Sequence, residues 1–303
     1  VIVFYKSTRS GSLWPMPASV SALTDTPIEI HVEDGASEPA FTDTSNGRNA
    51  VWPQYDRIYH LNDLLDSTGN VDLTASGAPT LGNDTSFPGG LGTIFDGLDD
   101  YLSAAGQDYG TINSTRQIWV KGDSNAAGAI VMQGDAGTNG KWHGMRRNGS
   151  GDLITAVDDG TNIVFNSPSP AFSLAGGNWV QITVVIDHGN ISEVFVDGVS
   201  RGAADISSIG DIHDAGSLYI GARLNNAATD LPWDDSLAEL RMRTGTVTAD
   251  RVLFDYRTIN DAGAGANPFY SVTDIFSGTP LLSNCLAANI AADRITPQVD
   301  VNF

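Results

Sequence analysis

Glycine and proline recur at such short intervals along this 303-residue chain, 33 and 13 times, that little room is left for long helices. The pieces between them alternate. In residues 179–186, WVQITVVI, the side chains of Val180, Ile182, Val184 and Ile186 share one face, as a strand's two-residue period requires. The turn Asp187-His188-Gly189-Asn190 then leads into ISEVFV, and Asp197-Gly198 turns the chain again, which predicts a β-meander. Further strands are predicted at 27–32, 116–121, 129–133, 152–157, 162–166, 217–223 and 236–243. Strands this short and frequent predict an all-β fold of two packed antiparallel sheets. The exception is 248–260, TADRVLFDYRTIN, where Thr248 caps and Val252, Leu253 and Tyr256 share a face. This predicts one short helix against the sandwich edge.

Charge narrows the classes of partner. The net charge of −20 rests on 31 Asp and 5 Glu against 3 Lys and 13 Arg, spread along the whole chain. Such a surface repels nucleic acid and itself, and it is screened in salt, which suits a saline habitat. No apolar run is long enough for a membrane span, and the opening VIVFYKSTRS lacks the form of a signal peptide. The single cysteine, Cys285, excludes an internal disulfide framework and sits in an apolar setting that reads as core.

The ordered series YHLND (59–63), DSTGN (66–70), FDGLDDYL (95–102), NWVQITVVID (178–187), VFVDGVSRG (194–202), LYIGAR (218–223) and LAELRMR (237–243), closed by the helix, resembles the concanavalin A-like lectin/glucanase superfamily. More narrowly it is similar to laminin-G-type domains of bacterial or phage surface proteins. The resemblance implies a two-sheet antiparallel jelly-roll sandwich with one short helix and extended terminal arms. It covers about residues 50–272. Residues 1–49 look like an N-terminal β-arm or the end of an uncharacterised β-module, and 273–303 form a C-terminal extension.

Several catalytic constellations are missing. Glucan-cleaving relatives carry a Glu-x-Asp-x-x-Glu strand that sets two carboxyls about 5 Å apart, whereas the five glutamates here stand at 29, 33, 38, 193 and 239. Glu239 is expected to pair with Arg241 or Arg243. There is no Gly-x-Ser-x-Gly elbow and no phosphate-loop Lys, and His60, His188 and His213 show no zinc-ligand spacing.

Two stretches suit sugar recognition. GKWHGMRRNGSG, read as one connection, sets Trp142 beside His143, Arg146 and Arg147, an aromatic face with cations for an acidic glycan. The second is Leu231-Pro232-Trp233-Asp234-Asp235, with Asn225 and Asn226 ahead of it. The competing structural reading puts Trp142 and Trp233 in the core and pairs the arginines with aspartates. For calcium, which the resemblance makes a candidate cofactor, Asp66, Asn70, Asp99 and Asp100 are the candidate ligands. The EF-hand pattern fails, because Leu98 and Tyr101 fall where a ligand and glycine belong. In FDGLDDYL, Phe95 is expected in the core and Tyr101 at the next strand.

These readings predict a non-catalytic adhesion, glycan-binding or structural decoration module, exposed on a cell surface or a virion tail, fibre or capsid. Its partners would be a surface glycan or neighbouring subunits of an oligomer or particle. The alternative is a polysaccharide lyase or glycoside hydrolase on the same fold, with His143 as base and Arg146 neutralising a sugar carboxylate.

Overall fold

The computed structural model describes Trp52 and residues 54–260 apart from 138, 139, 214 and 215. It also describes the backbone of four short strands, β1 (Ile2–Phe4), β2 (Ser10–Leu13), β3 (Ile30–Val32) and β21 (Val299–Asn302). The chain divides into two compact units, Val1–Trp52 with Phe254–Phe303, and Pro53–Leu253. In the first, β1 pairs with β3 in parallel and β2 with β21 antiparallel. Cys285, Glu29, Glu33, Glu38 and most of the expected terminal arms lie outside the described residues.

The second unit is a sandwich of two antiparallel sheets. The seven-stranded sheet contains β5 (Thr74–Ser76), β8 (Tyr101–Ala104), β10 (Gly128–Gly134), β11 (Lys141–Arg147), β12 (Leu153–Asp159), β13 (Ile163–Asn166) and β17 (Leu218–Ile220), in the order β13-β12-β11-β10-β17-β8-β5. The eight-stranded sheet contains β6 (Thr80–Asp84), β7 (Gly92–Ile94), β9 (Ser114–Val120), β14 (Val180–Asp187), β15 (Ile191–Val196), β16 (Val199–Asp205) and β20 (Ser236–Thr244). Their order is β16-β15-β14-β9-β20-β7-β6, and the eighth strand, β4 (Arg57–Tyr59), pairs with β20. A hairpin of β18 (Arg223–Asn225) and β19 (Ala228–Asp230) stands beside them.

The core sits between the sheets. Ile182, Val184 and Ile186 of β14 and Ile118 and Val120 of β9 meet Val131, Met145, Leu153, Val157, Leu218 and Ile220 from the facing sheet. Burying each such side chain contributes about 1.5–3 kcal/mol before chain entropy is charged against it. The predicted meander is present. Asp197 and Gly198 both take positive φ, 52° and 77°, as a two-residue type I′ turn between β15 and β16 demands.

Three sequence expectations change. The stretch 217–223 is not one strand: Gly221 breaks it at φ 84°, with the Phe95 ring 2.6 Å from the position a Cβ would take. The helix α1 (Ala249–Asn260) packs on a sheet face rather than an edge, its Val252 set against Val185 and Phe195. Thr248 caps it as expected, its hydroxyl accepting from Arg251 N–H at 3.3 Å. Most consequential, the stretch read as a connection around Trp142 is the strand β11.

Candidate functional site

Because β11 is a strand, its side chains alternate between faces. His143, Met145 and Arg147 point into the sandwich, while Trp142, Gly144 and Arg146 lie on the outer face of the seven-stranded sheet. The expected cluster is therefore divided. His143 is 1% exposed and Arg147 fully buried, so neither reaches a ligand on the surface. Burial and the nearby Arg116 hold the His143 pKa well below its ordinary value, leaving a neutral imidazole. The lyase pair fails on the same ground, since His143 and Arg146 face opposite ways.

Register assembles the outer face. One row crosses the sheet as Phe165, Ala156, Gly144, Met132, Tyr219 and Ser103. Between two aromatic side chains, Phe165 and Tyr219, the row is filled by Ala156, Gly144 and the buried Met132, whose Sδ lies 2.4 Å from where a Cβ on Gly144 would stand. Phe165 is 49% exposed, with its ring 6.4 Å from that of Trp142 and 6.0 Å from Arg146 Cζ. Trp142 itself is buried among Ala129, Met132 and Ala156, with Ala136 and Leu231 against them, so it forms floor rather than platform. On the other side of the row, the Tyr101 and Tyr219 rings stand 5.7 Å apart.

Two guanidinium groups border this face. Arg223 is held by Asp230 through two hydrogen bonds, Nε to Oδ1 at 2.8 Å and Nη2 to Oδ2 at 2.6 Å, and Asn225 donates to the same carboxylate at 3.0 Å. Arg146 has no carboxylate partner among the described residues, and its Nε lacks a hydrogen-bond acceptor there. Burial, and then the Arg223 charge, lower its pKa. Asn226 serves its own loop, where its backbone N–H and those of Ala227 and Gly137 converge on the Asp135 carboxylate. Phe165 and Arg223 escaped the sequence reading, which takes 162–166 and 217–223 only as strands. Cross-strand register was the missing signal.

The second expected stretch is a structural strut. Trp233 is fully buried, with Arg147 Cζ 4.5 Å above its ring. Arg147 donates to Ala126 O at 2.5 Å, to Ser124 Oγ at 3.1 Å and to Asp234. Asp235 lies 3.9 Å from Lys121, which is bound more closely by Asp84 at 3.0 Å. Burial raises the Asp235 pKa. Trp233 and Asp234 thus tie the rim to β11.

The carboxylates proposed for calcium separate as well. Asp66 is occupied by the N–H groups of Ile58, Thr68 and Val71 and by the Thr68 hydroxyl, and Asn70 donates to Asp56 O at 2.9 Å. Asp99 and Asp100 meet Asp96 instead, with one ligand atom from each within 4.8 Å of the others. An all-oxygen set suits a hard cation. Yet both Asp100 oxygens accept main-chain N–H groups, from Ala78 and Asp96, and one Asp96 oxygen accepts from Leu98, so the loop is satisfied as a turn. Phe95 is buried and Tyr101 opens β8, as the sequence predicts.

Two antiparallel sheets closed over one core, with short strands and, among the described residues, one helix on an outer face, define a jelly-roll sandwich of the concanavalin A-like class. The chain belongs to the Laminin_G_3 family of the concanavalin A-like lectin/glucanases superfamily, whose model matches residues 95–253, more than half of its length. No curated protein matches it. Among solved structures it is similar to the binding domain of Paraclostridial Mosquitocidal Protein 1, at 10% identity and a TM-score of 0.53 over 68% of this chain and 52% of that one. The receptor-binding domain of botulinum neurotoxin C/D mosaic serotype compares at 10% identity and 0.53, over 67% and 51%. Domain 4 of AbnA, a GH43 extracellular arabinanase from Geobacillus stearothermophilus solved with arabinotriose, compares at 18% identity and 0.52, over 67% and 98%. The chain thus spans about half the length of the toxin domains. These likenesses are of fold. Among the described residues, no helix is long and apolar enough to cross a membrane.

Proposed function

We propose that the protein is a non-catalytic, surface-exposed glycan-binding module that engages sugar on the outer face of its seven-stranded sheet. The observation that carries this reading is the exposed Phe165 ring beside Arg146, which has no carboxylate partner among the described residues, at the edge of the apolar cluster of Met132, Trp142 and Ala156. An aromatic face packs on the apolar side of a pyranose or furanose ring, and a free guanidinium pairs a sugar carboxylate or sulfate in two-pronged geometry. Support by analogy of fold comes from AbnA domain 4, solved with arabinotriose, and from neighbours described as receptor-binding domains. The division of His143 from Arg146 removes the constellation on which a lyase reading rested.

The test is retention of the full chain on a panel of neutral, carboxylated and sulfated polysaccharides, followed by calorimetry on any that bind. Phe165→Ala and Arg146→Ala should each weaken binding about 5- to 30-fold, the range that corresponds to one or two kcal/mol. Unchanged affinity in both variants, or release of unsaturated or reducing ends, would overturn the reading. In the same proposal, the module sits on a cell surface or virion. Residues 1–49 and 273–303 would join it to neighbouring subunits, flanking a sandwich over 50–272. Removing 273–303 should then reduce oligomer formation in light scattering and leave the sandwich folded.

A further inference from the structure

The apolar filling of the sandwich is interrupted by a polar layer. On the eight-stranded sheet one inward row runs Arg57, Met242, Arg116, Val184 and Val194. On the facing sheet an inward row runs Val157, His143, Gln133 and Leu218. Tyr109 packs against both, its ring 5.1 Å from Arg116 Cζ and 6.1 Å from the His143 ring.

Some members of this layer are satisfied locally. Gln133 donates to Gln107 O at 2.6 Å and accepts from its N–H at 3.2 Å, and the Tyr109 hydroxyl donates to Asp56 at 3.3 Å. Others are not. Nε and Nη2 of Arg116, both ring nitrogens of His143 and Nη1 of Arg57 are buried with no hydrogen-bond partner among the described residues. Arg116 is 2% exposed and His143 1%.

A guanidinium keeps its proton even in a core, so Arg116 is a buried cation. Burial lowers its pKa to about 10, and the group that opposes this is Tyr109; among the described residues no carboxylate lies near enough to take part. Burying a charge without a counter-charge is among the costliest arrangements a fold can hold. Water would satisfy the donors but leave the charge. The apolar side chains of the surrounding cluster, Met145 and Val157 among them, offer a larger polar ligand no further partners.

We propose that this layer is an anion site, in which one halide-sized inorganic anion of the chloride class sits between the Arg116 guanidinium and the N–H of neutral His143. Tyr109 forms its apolar wall. Arg57, two strands along the same row, adds positive potential from one side.

The experiment is thermal unfolding of the intact chain at fixed ionic strength in chloride, bromide and gluconate salts, with crystals grown in bromide. The halide salts should raise the unfolding temperature over gluconate by about 2–4 °C or more, in a manner that saturates with halide concentration. One anomalous bromide peak should stand beside Arg116 Nε. Arg116→Met, which removes the cation and its need for a counter-ion, should abolish the difference between salts. Equal unfolding temperatures in all three salts with only water at Arg116, or a halide effect that persists in Arg116→Met, would overturn the site. Should that variant fail to fold, the bromide peak in the unaltered protein decides, its presence supporting the proposal and its absence refuting it.

Discussion

Glu239 shows how one position can carry both strain and charge. It sits at φ 52° where the β20 register shifts between Ala238 and Arg241, and it is 5% exposed. Its carboxylate faces His60 Nδ1 at 2.5 Å and accepts from Arg241 Nη2 at 3.0 Å. The pairing with Arg241 was legible in the spacing of LAELRMR. The bulge and His60 were not, because neither leaves a local trace. Burial works to raise the Glu239 pKa, but His60 and Arg241 outweigh it and hold it at about 2. A folded-state pKa below the ordinary carboxylate value adds stability that is fully present above about pH 4.5 and is lost as pH falls toward 2. Chemical denaturation from pH 6 to pH 2 should therefore show Glu239→Gln losing less stability over this interval than the unaltered protein. Glu239→Ala, which removes the buried carboxylate that His60 and Arg241 share, should cost about 3–5 kcal/mol at neutral pH.

At the level of elements, legibility tracked hydrophobic alternation. Strand β14 declares itself because its inward residues are Ile and Val and the facing core is apolar. Strand β11 does not. Its inward positions include His143 and Arg147, its outward ones Trp142, Gly144 and Arg146, so neither face is uniformly greasy and the two-residue period is masked. The aromatic stack over β9 was hidden for a related reason. Trp119 is buried on the outer face of its sheet because Phe87, from the loop after β6, lies 5.5 Å from it and 4.9 Å from Trp179. Phe87→Ala should destabilise by about 3–5 kcal/mol in denaturant melts, despite the loop origin of that residue. In the β15–β16 turn, Gly198→Ala should cost about 1–2 kcal/mol, since the turn holds that position at φ 77°.

For the whole molecule, the order of short segments was enough to place the chain, and the family match at 95–253 falls inside the expected 50–272. The proposed binding face was beyond such reading, because it is built from β13, β12, β11, β10 and β17, brought together only by pairing across the sheet. Net charge acts at this scale too. With a charge of −20, raising salt from about 10 mM to 1 M shrinks the Debye length from about 30 Å to 3 Å, and the unfolding temperature should rise in chloride and gluconate alike, as calorimetry would show. That general rise is separable from any anion-specific step. The two-sidedness of β11 has an engineering consequence. On the proposed binding face Arg146, together with Phe165, can be varied to redirect ligand preference while the inward positions, the packed Trp142 and Gly144, whose Cβ would stand 2.4 Å from Val131 O, stay constant. A one-residue insertion in the same strand would instead exchange its inward and outward positions. New specificities on this scaffold should therefore be sought by substitution at fixed length, with diversity confined to Arg146 and Phe165.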